Sequence, residues 1–411
     1  MLFNNNIEGF ETIQAQNSYA FAKIVADLTH LYDLYGYQQT FIPTFEAYDL
    51  YVHEDSIPCD DLFKLINHQG KVLTLKPDVT LPITRMAAIN HPNPDEIIKF
   101  SYKANIYRNF SAPDSIKKEI NQIGIEYFGN DSPECDGEII ALSILSLLKA
   151  GVSDIHIDLG HVGFINYLLE ELDFSDQQRL TLFEFIENKN IGDIISYLKM
   201  LKIDPKYQEI IAKLPVLYGK PTDVISEMKA ICINKKMEGV VQKITEIYKH
   251  LQTMGFDQYI NFDLGFTNQM NYYSDTIFKA YINNWGEPVI SGGRYNKLSE
   301  KFGIPRPACG FAIDLMKIIN YMDQNSILPQ RQSLKKIIIY EADKKTEAYE
   351  MGQSFRKEGK IAELFIANED VIKQIDLLKS NPLYQKIEVY YLKNDKIYYR
   401  DKQQFKEVES R

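Results

Sequence analysis

Between Ile97 and Gly129 the chain reads IIKFSYKANIYRNFSAPDSIKKEINQIGIEYFG, which places a cation, an amide and a carboxylate where they can clasp one small molecule. Gln122, Gly124 and Glu126 alternate with Ile123, Ile125 and Tyr127, and this period of two predicts a half-buried strand with one polar face. Arg108 ends the strand before it. A guanidinium fork matches a carboxylate and a carboxylate matches an ammonium, so the set suits a small zwitterion. An ordinary antiparallel hairpin with a solvated polar face has the same spacing. Asp78 and Thr80 add an acid and a hydroxyl in LTLKPDVTLPITRMAA, where a strand end runs into a helix beginning near Leu81. Both are good helix N-cap types; the functional alternative is that Asp78 faces a ligand's amine. Tyr272 and Tyr273 sit at the start of a strand whose alternation sends one of them to the core. Gly292-Gly293-Arg294-Tyr295 reads as a tight turn with a solvated arginine, and Arg85 as structural.

The elements that must position these residues follow from the same patterns. Apolar residues at helical spacing from Phe21 to Tyr35 predict a helix over 15–35 that stops at Gly36. A short extended run with Pro43 follows, then a hairpin of 62–65 and 72–75 around the turn at Asn67–Gly70. Past the central hairpin, 136–150 predicts an amphipathic helix and 155–159 a strand. From about 164 to 256 strand signals give way to five helical segments, which read as a helical insertion. Strands return at 260–264, 272–282 and 287–290, and PACGFAIDLMKII reads as a strand turning into a helix just after Gly310. Residues 1–323 thus form one core, 324–333 a polar linker with Pro329, and 334–411 a small α/β domain of alternating strands and helices.

Composition excludes several classes. With 45% hydrophobic and 25% charged residues the chain is an ordinary globular protein. No apolar run approaches the roughly 18 residues a membrane span needs. Cys59, Cys135, Cys232 and Cys309 lack metal-ligand spacing and read as reduced thiols of a cytosolic protein. A formal charge of −10 argues against a large nucleic-acid footprint. The C-terminal stretch from Arg331 carries 17 Lys/Arg against 14 Asp/Glu, too nearly neutral for a strong RNA binder.

Taken in order, the motifs resemble a histidyl-tRNA synthetase core, a class II aminoacyl-tRNA synthetase fold on an antiparallel sheet flanked by helices, over roughly residues 10–320. YGYQQTFIPTFE resembles the dimer-forming first motif, IYRNF with QIGIE the second, and CGFAIDLMKI the third. MNYYSDTIFKAY and SGGRYNKL resemble the two peptides peculiar to the histidine-specific member. The resemblance implies an α+β fold and a histidine pocket lined by Asp78, Thr80, Arg108, Gln122, Glu126, Tyr272 and Tyr273, with Arg294 close by.

The departures set the functional expectation. Lys317 stands where the synthetase has an ATP-binding arginine, preceded by Met316 where an acid is usual, and Lys118 replaces a second arginine. In the segment from Phe266 to Asn271 the arginine that promotes adenylate formation is missing. An ammonium does not replace a planar guanidinium that stacks on a base. This combination is similar to the regulatory subunits of ATP phosphoribosyltransferase, synthetase paralogues of histidine biosynthesis. That resemblance implies a non-catalytic cytoplasmic subunit, with no metal and no cofactor. It implies self-association as a dimer, a hetero-octamer with the short-form catalytic subunit, histidine as feedback effector and no tRNA charging. The alternative is a divergent but active histidyl-tRNA synthetase.

Overall fold

The computed structural model describes residues 7–52, 57–109, 117–266, 273–330, 334–381, 384, 386–394, 396–401 and 404–408. The chain divides into two compact units, Met1–Leu328 and Pro329–Arg411.

The first unit opens with α1 (Ala15–Leu34), β1 (Gln38–Thr40), β2 (Phe45–Ala47), the single turn α2 (Asp49–Val52), β3 (Lys64–Ile66) and β4 (Val72–Leu75). Next come α3 (Thr80–Asn90), β5 (Ile98–Tyr107), β6 (Glu119–Phe128), α4 (Pro133–Ala150), β7 (Ile155–His161) and α5 (Val162–Leu169). Helices α6 (Asp176–Glu187), α7 (Ile191–Met200) and α8 (Pro205–Lys213) precede β8 (Tyr218–Gly219), α9 (Pro221–Ile231) and α10 (Lys235–Thr253). The unit closes with β9 (Ile260–Asp263), β10 (Thr276–Ile282), β11 (Pro288–Arg294), β12 (Ala308–Asp314) and α11 (Leu315–Gln324).

Nine of these strands form one sheet in the order β1-β5-β6-β12-β11-β10-β7-β9-β8. The run from β5 to β7 is antiparallel, and the parallel pairs β1–β5 and β7–β9 lie at its flanks. Alternation along β6 divides the two faces. Ile123, Ile125 and Tyr127 join the large core formed with α1, α4 and α11. Across the strand ladders Gln122, Gly124 and Glu126 oppose Ala104, Tyr102 and Phe100 on one side and Asp314, Ala312 and Gly310 on the other. Phe100, Tyr102 and Phe128 on this second face pack with Val79, Leu81 and Ile83 around α3. The helix boundaries have local causes. Ser132 caps α4 through the Cys135 N–H with Pro133 at its first position, and Gly151 ends it in the left-handed region at φ 95°.

Four expectations change. The insertion contains a strand: Tyr218 and Gly219 pair with Asp263 and Phe262 at the sheet edge, and two residues are too few to show a period. β12 continues four residues past Gly310 because Phe311 to Asp314 pair with Ile125 to Gln122; the helix begins only at Leu315, capped by Asp314. Gly292-Gly293-Arg294 is no turn but the end of β11, in register with Phe311, Gly310 and Cys309. The start of the strand expected at 272 lies partly outside the described residues, and β10 begins at Thr276.

The second unit holds β13 (Lys335–Tyr340), α12 (Lys345–Lys357), β14 (Ala362–Ile366), α13 (Val371–Ser380), β15 (Ile387–Lys393), β16 (Lys396–Asp401) and β17 (Gln404–Val408). Its sheet runs β14-β13-β15-β16-β17, with β13 parallel to both neighbours. Ile337 and Ile339 face Ile375 of α13, while Ile338 and Tyr340 face Ala348 of α12. Covering on both faces explains the unbroken apolar run in β13.

Two glycines test this packing in opposite directions. A Cβ on Gly310 would meet Glu126 Oε2 at 2.1 Å and the Ile125 carbonyl at 2.3 Å, whereas one on Gly239 in α10 meets nothing within 4 Å. Gly310→Ala should therefore lower the unfolding free energy by about 3 kcal/mol, and Gly239→Ala should raise it by up to about 1 kcal/mol. Urea denaturation of the full chain reads both; equal midpoints for the two variants would contradict the packing described.

Candidate functional site

The site is built on the second face of the sheet, where β5, β6, β12 and β11 meet the head of α3. Glu126 is only 1% exposed. Its Oε1 accepts the Thr80 hydroxyl at 2.7 Å and its Oε2 accepts the hydroxyl of Tyr295. Burial pushes the Glu126 carboxyl up to about 8; the nearby Asp78 charge adds to this, and the hydrogen bonds from Tyr295 and Thr80 pull the other way. Gly124 and Gly310 leave the floor bare. Any side chain on Gly124 would strike the Phe311 carbonyl at 2.3 Å and the Tyr102 hydroxyl at 2.6 Å.

Asp78 and Thr80 divide the two roles open to them. Asp78 Oδ2 accepts the Leu81 N–H at 2.8 Å, so it serves the head of α3 as a cap while its charge faces Glu126. Burial raises its own carboxyl, against the Leu81 N–H and the Arg108 guanidinium, which lower it. Thr80 gives its hydroxyl to Glu126 and not to the helix. Arg108, just past β5, donates through Nε to the Pro77 carbonyl at 2.8 Å, bringing a cation beside Asp78. The Tyr102 hydroxyl is raised well above its ordinary value by burial, then by Glu126, Asp78 and Tyr273, which lie around it.

The remaining candidates fall in different places. Tyr273 lies against the end of β11: a Cβ on Gly293 would touch its ring at 2.7 Å. Tyr272 lies outside the described residues. Gln122 shares the face of Glu126 but stands four residues away, about 13 Å along the strand. Arg294 does not join the group. It pairs with Cys309, which pairs with Tyr127, so alternation turns it to the opposite, helix-covered face, where it is fully buried against Asp136 of α4 at 2.9 Å. The adjacent Tyr295, which sequence reasoning passed over, is the residue that reaches Glu126. Once GGR is read as a strand, the period of two separates the pair.

The arrangement can hold a small polar molecule by charge and hydrogen bonding: two acids for an ammonium, whose charge favours the ionised form of Glu126, a guanidinium for a carboxylate, and tyrosine hydroxyls to orient it. Among the described residues no group of three or more His, Cys, Asp or Glu is placed to hold a metal ion. Lys317 is engaged elsewhere. Its Nζ lies 2.8 Å from Glu287 Oε2 and donates to the Pro288 carbonyl at 3.0 Å. No helix among the described residues is long and apolar enough to cross a membrane.

Residues 9–318 match the family model described as histidyl-tRNA synthetase. An ATP phosphoribosyltransferase regulatory subunit of Oceanobacillus iheyensis is 38% identical over 299 residues, 72% of this chain and 73% of that one. A solved structure from Bacillus halodurans, described as an ATP phosphoribosyltransferase regulatory subunit/histidyl-tRNA synthetase, superposes with a TM-score of 0.83 at 27% identity, covering 96% of this chain and 99% of the other. Histidyl-tRNA synthetase from Nostoc sp. PCC 7120 superposes with a TM-score of 0.81 over 99% of this chain and 97% of its own, and at 17% identity it shows shared fold alone.

Glu126 gives the site a signature in stability. A carboxyl raised from 4.5 to about 8 keeps its proton in the folded state while the unfolded chain loses it, so folding takes up a proton in that window. Its favourable contribution is complete below pH 4.5 and is lost as pH rises through about 8, at up to roughly 1.4 kcal/mol per pH unit. Glu126→Gln removes the titration and keeps the shape. Between pH 5 and 8 the variant should gain stability relative to wild type in urea unfolding; parallel pH curves would refute the assignment.

Proposed function

The chain belongs to the family of ATP phosphoribosyltransferase regulatory subunits, built on the histidyl-tRNA synthetase fold, and from that premise we propose that it is a non-catalytic regulator of the first step of histidine biosynthesis. In this reading it binds the short-form catalytic subunit in a cytoplasmic hetero-octamer, activates it, and carries feedback inhibition by histidine. One observation supports the reading most. Acids, a guanidinium and tyrosine hydroxyls of the kind that suit an amino acid gather around Glu126, while the cation at the end of the third motif, Lys317, is tied to Glu287 and the Pro288 carbonyl. Adenylate chemistry depends on preorganised cations at the developing charge, and losing one typically costs about 3–4 kcal/mol. A pocket can outlive the chemistry it once served.

In the proposed mode Glu126 and Asp78 hold the ammonium of histidine, Arg108 faces its carboxylate, and Gln122 with Tyr272 or Tyr273 orients the ligand. Inhibition is then a coupling free energy: histidine must bind the inactive arrangement better than the active one. A tenfold preference corresponds to about 1.4 kcal/mol. The near-neutral C-terminal unit fits a chain that no longer reads tRNA. A divergent active synthetase is the second reading, favoured by the double description of the Bacillus halodurans neighbour.

Calorimetric titration of histidine into the purified chain, with histidine-dependent pyrophosphate exchange on the same sample, separates the two. The regulator binds histidine, alone or once the catalytic subunit is present, and shows no exchange; robust exchange hands the case to the synthetase. Within the complex, Glu126→Ala should weaken histidine inhibition at least about tenfold while sedimentation shows the assembly intact. Unaltered inhibition in that variant, with Glu126→Gln as a milder companion, would remove Glu126 from the effector site.

A further inference from the structure

Behind the cradle, on the helix-covered face, runs a set of charges drawn from five parts of the chain, buried at Arg294 and Asp136, partly buried at Lys243 and Asp275 and exposed at Asp131. Arg294 Nε donates to both Asp136 oxygens, at 2.9 and 3.2 Å. Its Nη1 donates to the Asn130 carbonyl at 2.9 Å and lies 3.1 Å from Asp131 Oδ1. Asp136, 2% exposed, also lies 3.8 Å from Lys243 Nζ of α10. Lys243 reaches further, to Asp275 Oδ2 at 2.7 Å and Asp131 Oδ1 at 3.7 Å. Asp275 Oδ1 lies 2.5 Å from Nε2 of His161, whose Nδ1 accepts the Gly163 N–H at 3.0 Å; the proton of the neutral ring therefore sits on Nε2 and is donated to Asp275.

The placement of this network matters more than its size. Arg294 precedes Tyr295, which donates to Glu126, and Asp275 stands two residues after Tyr273, which lies against Gly293. The two segments are stitched together: the Ser274 N–H donates to the Arg294 carbonyl at 2.8 Å, and the Asn296 N–H to the Ser274 hydroxyl at 3.0 Å. Both tyrosines are thus carried on backbone held by the charges. Lys243 brings α10 of the helical insertion into the same set, facing three carboxylates. A set with the fully buried Arg294–Asp136 pair at its centre has few arrangements of comparable energy, because moving either of these leaves the other unpaired away from water.

We propose that Lys243, Asp136, Arg294 and Asp275 are positioning residues that couple the Glu126 site to helix α10, so that a ligand settling on Glu126 and Tyr295 is felt in the insertion and a displacement of α10 changes affinity at the site. The coupling to a ligand rests on the reading of the site as a histidine effector site. The positioning of Tyr295 and Glu126 does not.

Lys243→Met, which keeps the stem and removes the charge, and Lys243→Arg, which keeps both, test the proposal on the full chain after melting curves confirm folding. In wild type, histidine should slow amide exchange over α10 as well as at the cradle. In Lys243→Met that protection of α10 should vanish and the histidine Kd weaken about fivefold to tenfold, and Lys243→Arg should restore both. Histidine binding to wild type without any change in α10, or full coupling in Lys243→Met, would overturn the coupling. If wild type binds no histidine, either alone or with the catalytic subunit present, the effector reading fails by itself. The positioning claim is then decided on ligand-free protein by following the Glu126 carboxyl in isotope-edited infrared titration: Lys243→Met must shift its midpoint and Lys243→Arg restore it, and an unmoved midpoint overturns the claim.

Discussion

A single carboxyl taken out of water sets the terms for the site around it. Removing an acid from solvent is costly unless the group keeps its proton or finds donors, and Glu126 does both near neutral pH. Its donors come from the head of α3 and from the residue after β11, elements separated by about half of the chain. The carboxyl therefore fixes how far α3 stands from the sheet. It can lie flat only because its cross-strand neighbour is Gly310, and Tyr102 can lie beside it only because its own neighbour is Gly124. Bare floor, paired hydroxyls and an enclosed acid are one solution to one desolvation problem.

Much of this was legible because it follows from short periods. The alternation in QIGIEYF assigned Gln122 and Glu126 to one face, and the helical spacing after Ser175, Asn190 and Asp204 matched helices that those residues cap. Arg294 was misread for a physical reason. Two glycines before an arginine look like a turn, yet here they are glycines because neighbouring backbone leaves no room for a Cβ: Gly292 would meet the Gly310 carbonyl at 2.7 Å and Gly293 the Thr276 carbonyl at 2.5 Å. A glycine that answers to a distant strand cannot be told locally from one that answers to a turn. The length of β12 is hidden likewise, since its partner is nearly two hundred residues away in sequence. Thr80 shows the converse. Its type and position suit a cap, but the stronger acceptor was an acid that only the fold brings near.

The two halves of a synthetase's machinery have different physical requirements, so in the proposed reading one persists without the other. Holding a small zwitterion needs a few paired charges in a fixed cradle, and burial supplies the rigidity. Transferring a nucleotide group needs cations free to meet charge as it develops. Lys317 is neither planar nor uncommitted: Glu287 holds its ammonium, and that pairing draws the Glu287 carboxyl below its ordinary value. Binding alone tolerates that arrangement, and a chain that only binds is free to change it.

Regulation asks for a third property, which neither a binding cradle nor adenylate chemistry provides. A ligand alters a distant surface only if its site and that surface share an element with two arrangements of differing affinity. Shielded charges add a constraint: separating Arg294 from Asp136 leaves an unpaired ion away from water, and separating Lys243 from Asp275 leaves two partly shielded ones, so intermediate positions are disfavoured. Such a network, lying directly behind Tyr295 and reaching an insertion helix, is poor value as a source of stability, since apolar residues would pack as well. Its worth lies in making the position of the insertion and the state of Glu126 a single variable.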